Sequence, residues 1–158
     1  MNKKSAGILA WKIESKLLKV LLVHPGGPYF TNKNAGSWSI PKGEYGDDEE
    51  PLTAAKREFA EETGIEINGE FAALTPVKQK SGKIVAAWAV EADVDITDFR
   101  PGTFAMEWPP KSGSVNQYPE VDKAEWFTLD VAKELLNPAQ VAFIDELERH
   151  VKFINHIN

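Results

Sequence analysis

The chain has 158 residues and no cysteine, which excludes disulfides, zinc–thiolate centres and cysteine nucleophiles. Its formal net charge of −6 is the wrong sign for a protein that coats nucleic acid, although a bound divalent cation can still attract a small anionic substrate. Hydrophobic residues make up 42% of the chain, enough for the core of one ordinary domain, and we expect residues 1–158 to form that domain.

The first half of the chain is predicted to contain two strands and a helix. Residues 7–13 and 18–23 have apolar runs, and the second run is nearly continuous, as in a strand buried on both faces. Pro51–Thr63 is predicted to be a helix, because proline suits the first helical turn and Gly64 suits the position after the last one. Its apolar face is formed by Leu52, Ala55 and Phe59.

The second half is predicted to contain further strands and two helices. Residues 71–79 and 83–91 have the pattern of a hairpin. Residues 103–108 and 124–129 are predicted to be strands, with 109–119 as a long irregular loop between them, and two helices follow. Strands on both sides of a central helix, with helices at the end, predict an α/β fold in which helices cover a mixed sheet.

Three glutamates share one face of the central predicted helix. Glu58, Glu61 and Glu62 stand at positions i, i+3 and i+4, which are neighbours on a helix surface. Carboxylates this close repel one another and raise each other's pKa unless a cation compensates. Ligand sets made only of oxygen suit hard cations such as Mg²⁺ or Mn²⁺. The spacing therefore predicts a divalent metal site on this face.

The residues around these glutamates make an ordinary solvated acidic face a poor explanation. Arg57 can pair with Glu49, eight residues earlier, as a bidentate clamp that shapes the loop before the helix. Gly43 and Gly46 are expected to let that loop take backbone angles closed to other residues. The spacing of these residues and of Gly64 relative to the three glutamates favours a functional site.

The sequence from Gly43 to Ile65, GEYGDDEEPLTAAKREFAEETGI, resembles the Nudix box at every fixed position. That box is written G-x5-E-x7-R-E-U-x-E-E-x-G-U, where U is an apolar residue. The resemblance, to the MutT-like branch, implies a Nudix α/β/α sandwich with a mixed β-sheet. It also implies Mg²⁺-dependent hydrolysis of a pyrophosphate bond in a nucleoside-diphosphate-linked substrate, such as a nucleoside triphosphate, a dinucleoside polyphosphate or ADP-ribose.

The resemblance further implies a set of metal ligands and catalytic groups. The metal, Mg²⁺ or alternatively Mn²⁺, would be held by the side chains of Glu58, Glu61 and Glu62 and by the backbone carbonyl of Lys42. A further acid, acting as an additional metal ligand or as the general base, is expected from a distal loop, before a Glu-Trp pair; Glu120 fits that position, and Glu107 is its competitor. Catalytic roles are expected for Glu61, Glu62, Glu120 and Arg57, the last through the clamp that it forms with Glu49 beside Gly43.

The substrate is expected to be a small nucleotide or polyphosphate, with candidate contacts from the Lys42 ammonium, Trp108 and Tyr118. The Glu-Trp-Pro-Pro segment at 107–110 also resembles bacterial predicted nucleoside-triphosphate pyrophosphohydrolases. A catalytically silent nucleotide-binding sensor on the same scaffold is the alternative, although such domains commonly lose box glutamates. An isoprenoid-diphosphate isomerase is disfavoured because the chain lacks cysteine.

No stretch approaches the roughly 18 apolar residues of a membrane span, so we expect a cytoplasmic protein.

Overall fold

The structure, a computed structural model, describes residues 3–157, with side chains as far as residue 152. Its strands are β1 (Lys4–Glu14), β2 (Leu17–Pro25), β3 (Lys42–Glu44), β4 (Ala72–Ala73), β5 (Val77–Lys78), β6 (Ile84–Glu91), β7 (Thr103–Glu107), β8 (Val115–Pro119) and β9 (Val121–Thr128). Its α-helices are α1 (Pro51–Thr63), α2 (Leu129–Leu135) and α3 (Val141–Ile157). Among the helices of residues 3–157, none combines the length and the apolar composition needed to cross a membrane.

Most of the strands within residues 3–157 belong to one mixed sheet. Its central order is β4-β6-β1-β2-β9, while β3 pairs with β1 and β5 pairs with β6. The pair β1–β6 is parallel, with Gly7 beside Ala87, and the other pairs are antiparallel. The remaining strands, β7 and β8, form a separate two-stranded sheet.

Strand β1 is buried on both faces and therefore separates two apolar cores. Ile8 and its neighbours of the same parity pack against α1, together with Phe59. Leu9 and Trp11 point to the other face and pack with residues of α2 and α3. Because successive strand residues point to opposite faces, one apolar strand can serve both layers. This arrangement confirms the predicted mixed sheet with helices on both sides.

Helix α1 has the bounds predicted from the sequence and carries the three glutamates. It begins at Pro51 and ends before Gly64, which is left-handed with φ 74° and whose N–H donates to the Ala60 carbonyl. Phe59 is fully buried in the core, as are Ala54 and Ala55 on the same face. The acidic face of the helix is thus mounted on a packed support.

The segment 109–119 was predicted to be an irregular loop, and this prediction is wrong for its second half. Residues Val115–Pro119 pair antiparallel with β7, from Thr103 opposite Pro119 to Glu107 opposite Val115. The segment is polar and contains proline, so its sequence lacks a strand alternation, and only the pairing with β7 satisfies its backbone as a strand. We call residues 103–119 the arm.

The packing of α1 leads to a stability prediction. Phe59→Ala should lower the free energy of unfolding by about 3–5 kcal/mol, the usual cost of removing a fully buried phenylalanine side chain. Thr53→Ala, at an exposed position of the same helix, should change it by less than about 0.5 kcal/mol. Urea denaturation followed by circular dichroism measures both. Equal costs would mean that α1 does not depend on this core contact.

Candidate active site

Arg57 joins the loop before α1 to the acidic face of the helix. Its Nε and Nη2 donate to the two carboxylate oxygens of Glu49, each at 2.8 Å, which is the bidentate pair expected from the spacing. Its Nη1 donates to Glu58 at 2.8 Å and to Glu61 at 3.0 Å. Hydrogen bonding to Arg57 also holds the pKa of the Glu49 carboxyl below its usual range. One guanidinium therefore organises three carboxylates.

Gly43 is needed at its position for space, which corrects the expectation of unusual backbone angles. Neither Gly43 nor Gly46 is among the glycines with positive φ. A Cβ on Gly43 would lie 2.0 Å from Oε2 of Glu58, well inside any real contact. The Glu58 carboxylate thus lies directly against the backbone of β3, where only a glycine leaves room for it.

Glu62 is the most perturbed carboxyl group of the site. Its Oε1 accepts a hydrogen bond from the backbone N–H of Lys42 at 3.2 Å. The pKa of Glu62 is raised to about 8, mainly by burial and also by the charges of Glu58 and Glu120, against the hydrogen bond and charge of Lys42. Its ionised form at neutral pH consequently requires a compensating positive charge nearby.

Glu120 lies at the base of the arm and is tied to two other parts of the site by its backbone. Its N–H donates to the Gly102 carbonyl at 2.8 Å, and its carbonyl accepts from Gly26 at 2.9 Å. Gly102 in turn donates to the carbonyl of Glu61 at 3.0 Å. Burial, followed by the charge of Glu61, raises the pKa of the Glu120 carboxyl. The structure therefore brings Glu120 to the acidic face of α1.

A cavity of about 120 Å³ gathers the predicted residues of both chain halves. It is lined by Lys42, Glu62 and Glu120, together with Val23, Pro25, Ser39 and Val121. A larger cavity of about 490 Å³ lies near Trp11, Glu91 and His150. Trp11 is four residues along β1 from Gly7, the partner of Lys42, or about 13 Å away. Because the smaller cavity brings Lys42 and Glu62 together with Glu120, it is the candidate site.

Two of the residues proposed from the sequence lie at the far end of the arm. The carboxylate of Glu107 accepts backbone hydrogen bonds from Lys111 at 2.8 Å and Gly113 at 3.2 Å, which organise the turn between β7 and β8. Trp108 donates its backbone N–H to Ser114 in the same turn. Trp108 lies six residues along the chain from Gly102, which is about 20 Å in an extended strand. Of the two candidate distal acids, Glu120 alone adjoins the glutamates of α1.

The donor set fits a hard divalent cation. Glu58, Glu61, Glu62 and Glu120 offer carboxylate oxygens, and burial raises the pKa of Glu58, Glu62 and Glu120. Among the side chains of residues 3–152, no three acidic or histidine groups converge as a complete metal-binding group, and Glu58 and Glu61 instead bond Arg57. Oxygen donors without histidine or thiolate suit Mg²⁺ or Mn²⁺. A cation bound to these oxygens would stabilise the ionised carboxylates, which burial disfavours.

Sequence reasoning named Tyr118 as a candidate substrate contact but missed Phe104, its aromatic partner beside Glu120. Phe104 on β7 pairs with Tyr118 on β8, and their ring centroids lie 6.1 Å apart. The signal was present in the alternation of Phe104, Met106 and Trp108, which is that of a strand with one apolar face. This alternation indicates an aromatic pair only together with the pairing of β7 and β8, which places Tyr118 opposite Phe104.

Comparison with protein-family models matches residues 1–147 to the family described as NUDIX domain. Comparison with curated proteins gives no match. Among solved structures, a C. elegans Ap4A hydrolase binary complex is 20% identical with a TM-score of 0.64, over 98% of both chains.

Two other solved structures have the same fold. The NUDIX domain of Shewanella oneidensis NrtR, complexed with ADP ribose, is 16% identical with a TM-score of 0.65, over 96% of this chain and 89% of that one. The MutT protein from Methanosarcina mazei Go1 is 21% identical with a TM-score of 0.59, over 96% of both chains. These likenesses confirm the predicted α/β/α sandwich of Nudix type.

The contact between Gly43 and Glu58 leads to a metal-binding prediction. Gly43→Ala should displace the Glu58 carboxylate and weaken Mg²⁺ binding about 10–100-fold, as measured by calorimetry. Gly46→Ala is the matched control, because its Cβ meets only the end of the exposed Asp48 side chain, at 3.0 Å. Unchanged Mg²⁺ affinity in a folded Gly43→Ala protein would contradict the role given to Glu58.

Proposed function

The chain belongs to the NUDIX domain family, and from this membership we propose that it hydrolyses a pyrophosphate bond in a nucleoside-diphosphate-linked substrate with the help of a divalent cation. The membership bears out the enzyme class expected from the box, a Nudix pyrophosphohydrolase acting on acid anhydrides. Such enzymes generally use a divalent metal; we propose Mg²⁺ here, with Mn²⁺ as a substitute. The main support is that Glu62 and Glu120, distant in sequence, line one cavity with Lys42.

Each acid has a proposed role. Glu58 and Glu62 would bind the cation directly, Glu61 would bind it directly or through water, and the backbone carbonyl of Lys42 would complete the shell. Arg57 acts on the site through its contacts with Glu49, Glu58 and Glu61 rather than as a ligand. The cation, when bound, supplies charge neutralisation for the bridging phosphates.

Two lysines are proposed to receive the phosphate chain. The half-buried Lys42 lines the cavity beside Glu62. Burial lowers the pKa of Lys42, and the nearby charge of Lys83 lowers it further. Lys83 also pairs with Glu44 at 3.4 Å. An anionic phosphate would offset the repulsion between these ammonium groups, which supports an anionic substrate in an acidic protein.

The proposed reaction is attack of water on a phosphorus of the anhydride. The water oxygen forms a bond to phosphorus, and the bond from that phosphorus to the bridging oxygen breaks. Glu120 accepts the proton of the attacking water, because burial raises its pKa and so makes its carboxylate a stronger base than an exposed glutamate. The leaving phosphate departs with the bridging oxygen beside Lys42.

The proposed substrate class is a nucleotide with an anhydride at its phosphate, namely a dinucleoside polyphosphate, ADP-ribose or a nucleoside triphosphate. The structural neighbours described as an Ap4A hydrolase and as a NUDIX domain complexed with ADP ribose are consistent with this class. A panel of these compounds with Mg²⁺ or Mn²⁺, with products resolved by chromatography, identifies the substrate and the bond that is cleaved. Removal of the cation with EDTA should abolish turnover, and its return should restore it.

The first catalytic prediction concerns Glu62. Glu62→Gln should lower kcat at least roughly 100-fold at saturating Mg²⁺ with the fold intact, the scale of losing a key electrostatic group. Glu50→Gln, an exposed acid before α1, is the control and should retain turnover. Near wild-type turnover of folded Glu62→Gln would remove the metal-site assignment. Binding of the nucleotides without any turnover by the wild-type protein would instead favour the silent sensor.

The second prediction separates the two distal acids. Glu120→Gln should reduce kcat by roughly 100-fold or more, the contribution of a positioned general base. Glu107→Gln should leave kcat nearly unchanged, because Glu107 bonds only the turn of the arm. Single-turnover kinetics on both variants measures the effects. The reverse ranking would transfer the role of the distal acid to Glu107.

A further inference from the structure

We propose that the arm carries the nucleobase-binding site of this enzyme, on the rings of Phe104 and Tyr118. The inference rests on the proposed function in one respect, that the substrate is a nucleotide whose anhydride lies beside Glu62 and Glu120. It assigns the recognition of the base to the separate two-stranded sheet rather than to the main sheet.

The base of the arm places aromatic and acidic groups on one face. Phe104 lies directly opposite Tyr118, and the hydrogen bond from Glu120 N–H to the Gly102 carbonyl continues the same ladder by one step. Directly opposed residues share a face of a sheet, as do residues two apart along a strand. Phe104 and Tyr118 therefore lie on the same face as Glu120. A Cβ on Gly102 would lie 3.7 Å from the Glu120 Cδ, which agrees with Gly102 and Glu120 sharing a face.

The spacing along the arm suits a nucleotide. Two residues of strand separate Tyr118 from Glu120, or about 7 Å. In a nucleotide, a single ribose separates the base from the first phosphate, and it spans a comparable length. A phosphate held beside Glu120 consequently brings its own base to the level of the Phe104–Tyr118 pair, and not to Trp108, which lies farther along the arm.

The ring of Phe104 is held in place by the loop after β2. Gly27 has a φ of 91°, and a Cβ there would lie 2.9 Å from Cζ of Phe104. The tip of the ring thus abuts a backbone position that tolerates no side chain. Phe104 and Tyr118 both remain partly exposed, with their planes inclined by 44°. A supported, partly open aromatic pair offers a stacking surface to any base, since every base has a π-face.

The two faces of the arm differ in the way that such a site requires. The face with Phe104 and Tyr118 also carries Met106, and these three side chains are half-buried, whereas Asn116, opposite Met106, is exposed. The opposite face is exposed and bears Thr103, Ala105, Glu107, Val115 and Gln117. The half-buried side of the arm therefore begins at the acid site and continues outward to Met106, whereas the opposite side faces solvent.

The test compares AMP with ribose 5-phosphate, which is AMP without its base, by calorimetry in the presence of Mg²⁺. We expect the wild-type protein to bind AMP about tenfold or more tightly than ribose 5-phosphate, the scale of one base stacked on aromatic rings. Phe104→Leu and Tyr118→Leu should reduce this ratio toward one while leaving the affinity for ribose 5-phosphate unaltered. Tyr118→Phe retains a ring and should retain most of the preference.

Val115→Ala is the matched control, because Val115 lies on the opposite, exposed face of the same arm and should leave the ratio unchanged. Equal affinities of the wild-type protein for the two ligands, or a ratio that survives both leucine variants in folded protein, would overturn the inference. The two failures are distinguishable: hydrolysis of anhydrides without preference for AMP removes only the base site. Preference for AMP without hydrolysis of any anhydride removes only the proposed function.

Discussion

The site depends on one close approach, that of the Glu58 carboxylate to the backbone of β3. At Gly43 this distance leaves no room for even a methyl group. Because Phe59 fixes α1 in the core and β3 pairs with β1, neither partner of this contact is free to withdraw. The position of the acidic face of α1 relative to the sheet is therefore set by backbone packing.

A chain of backbone hydrogen bonds then connects this face to the arm. It runs from the Glu61 carbonyl to Gly102, from the Gly102 carbonyl to Glu120 and from the Glu120 carbonyl to Gly26. Backbone bonds do not depend on rotamers, so the distal acid is placed as firmly as the helix itself. The same chain positions Phe104 beside Gly27, which links the aromatic face of the arm to the acid site.

Few positively charged side chains balance the carboxylates of the site. Arg57 neutralises part of the acidic face through Glu49, Glu58 and Glu61, while burial still raises the pKa of Glu62 to about 8. Such an arrangement lowers the stability of the fold, because burial disfavours the ionised form of a carboxylate. A divalent cation is the charge that would complement these carboxylates, and a cation bound there would also attract the anionic substrate proposed above.

The amino-acid sequence by itself determined the features that depend on local spacing. The bounds of α1, the shared face of its glutamates, the pairing of Arg57 with Glu49 and the mixed sheet all follow from periodicity or from the box. It did not determine β8, because Val115–Pro119 has no strand alternation and becomes a strand only by pairing with β7. Nor did it separate Glu120 from Glu107, since both are acids in one polar segment. Only the tertiary structure decided that, by turning the chain at the tip of the arm so that Glu107 caps the turn while Glu120 returns to α1. The reason is physical: contacts within a helix are encoded by neighbours in sequence, whereas distances across a chain reversal depend on which strands pair.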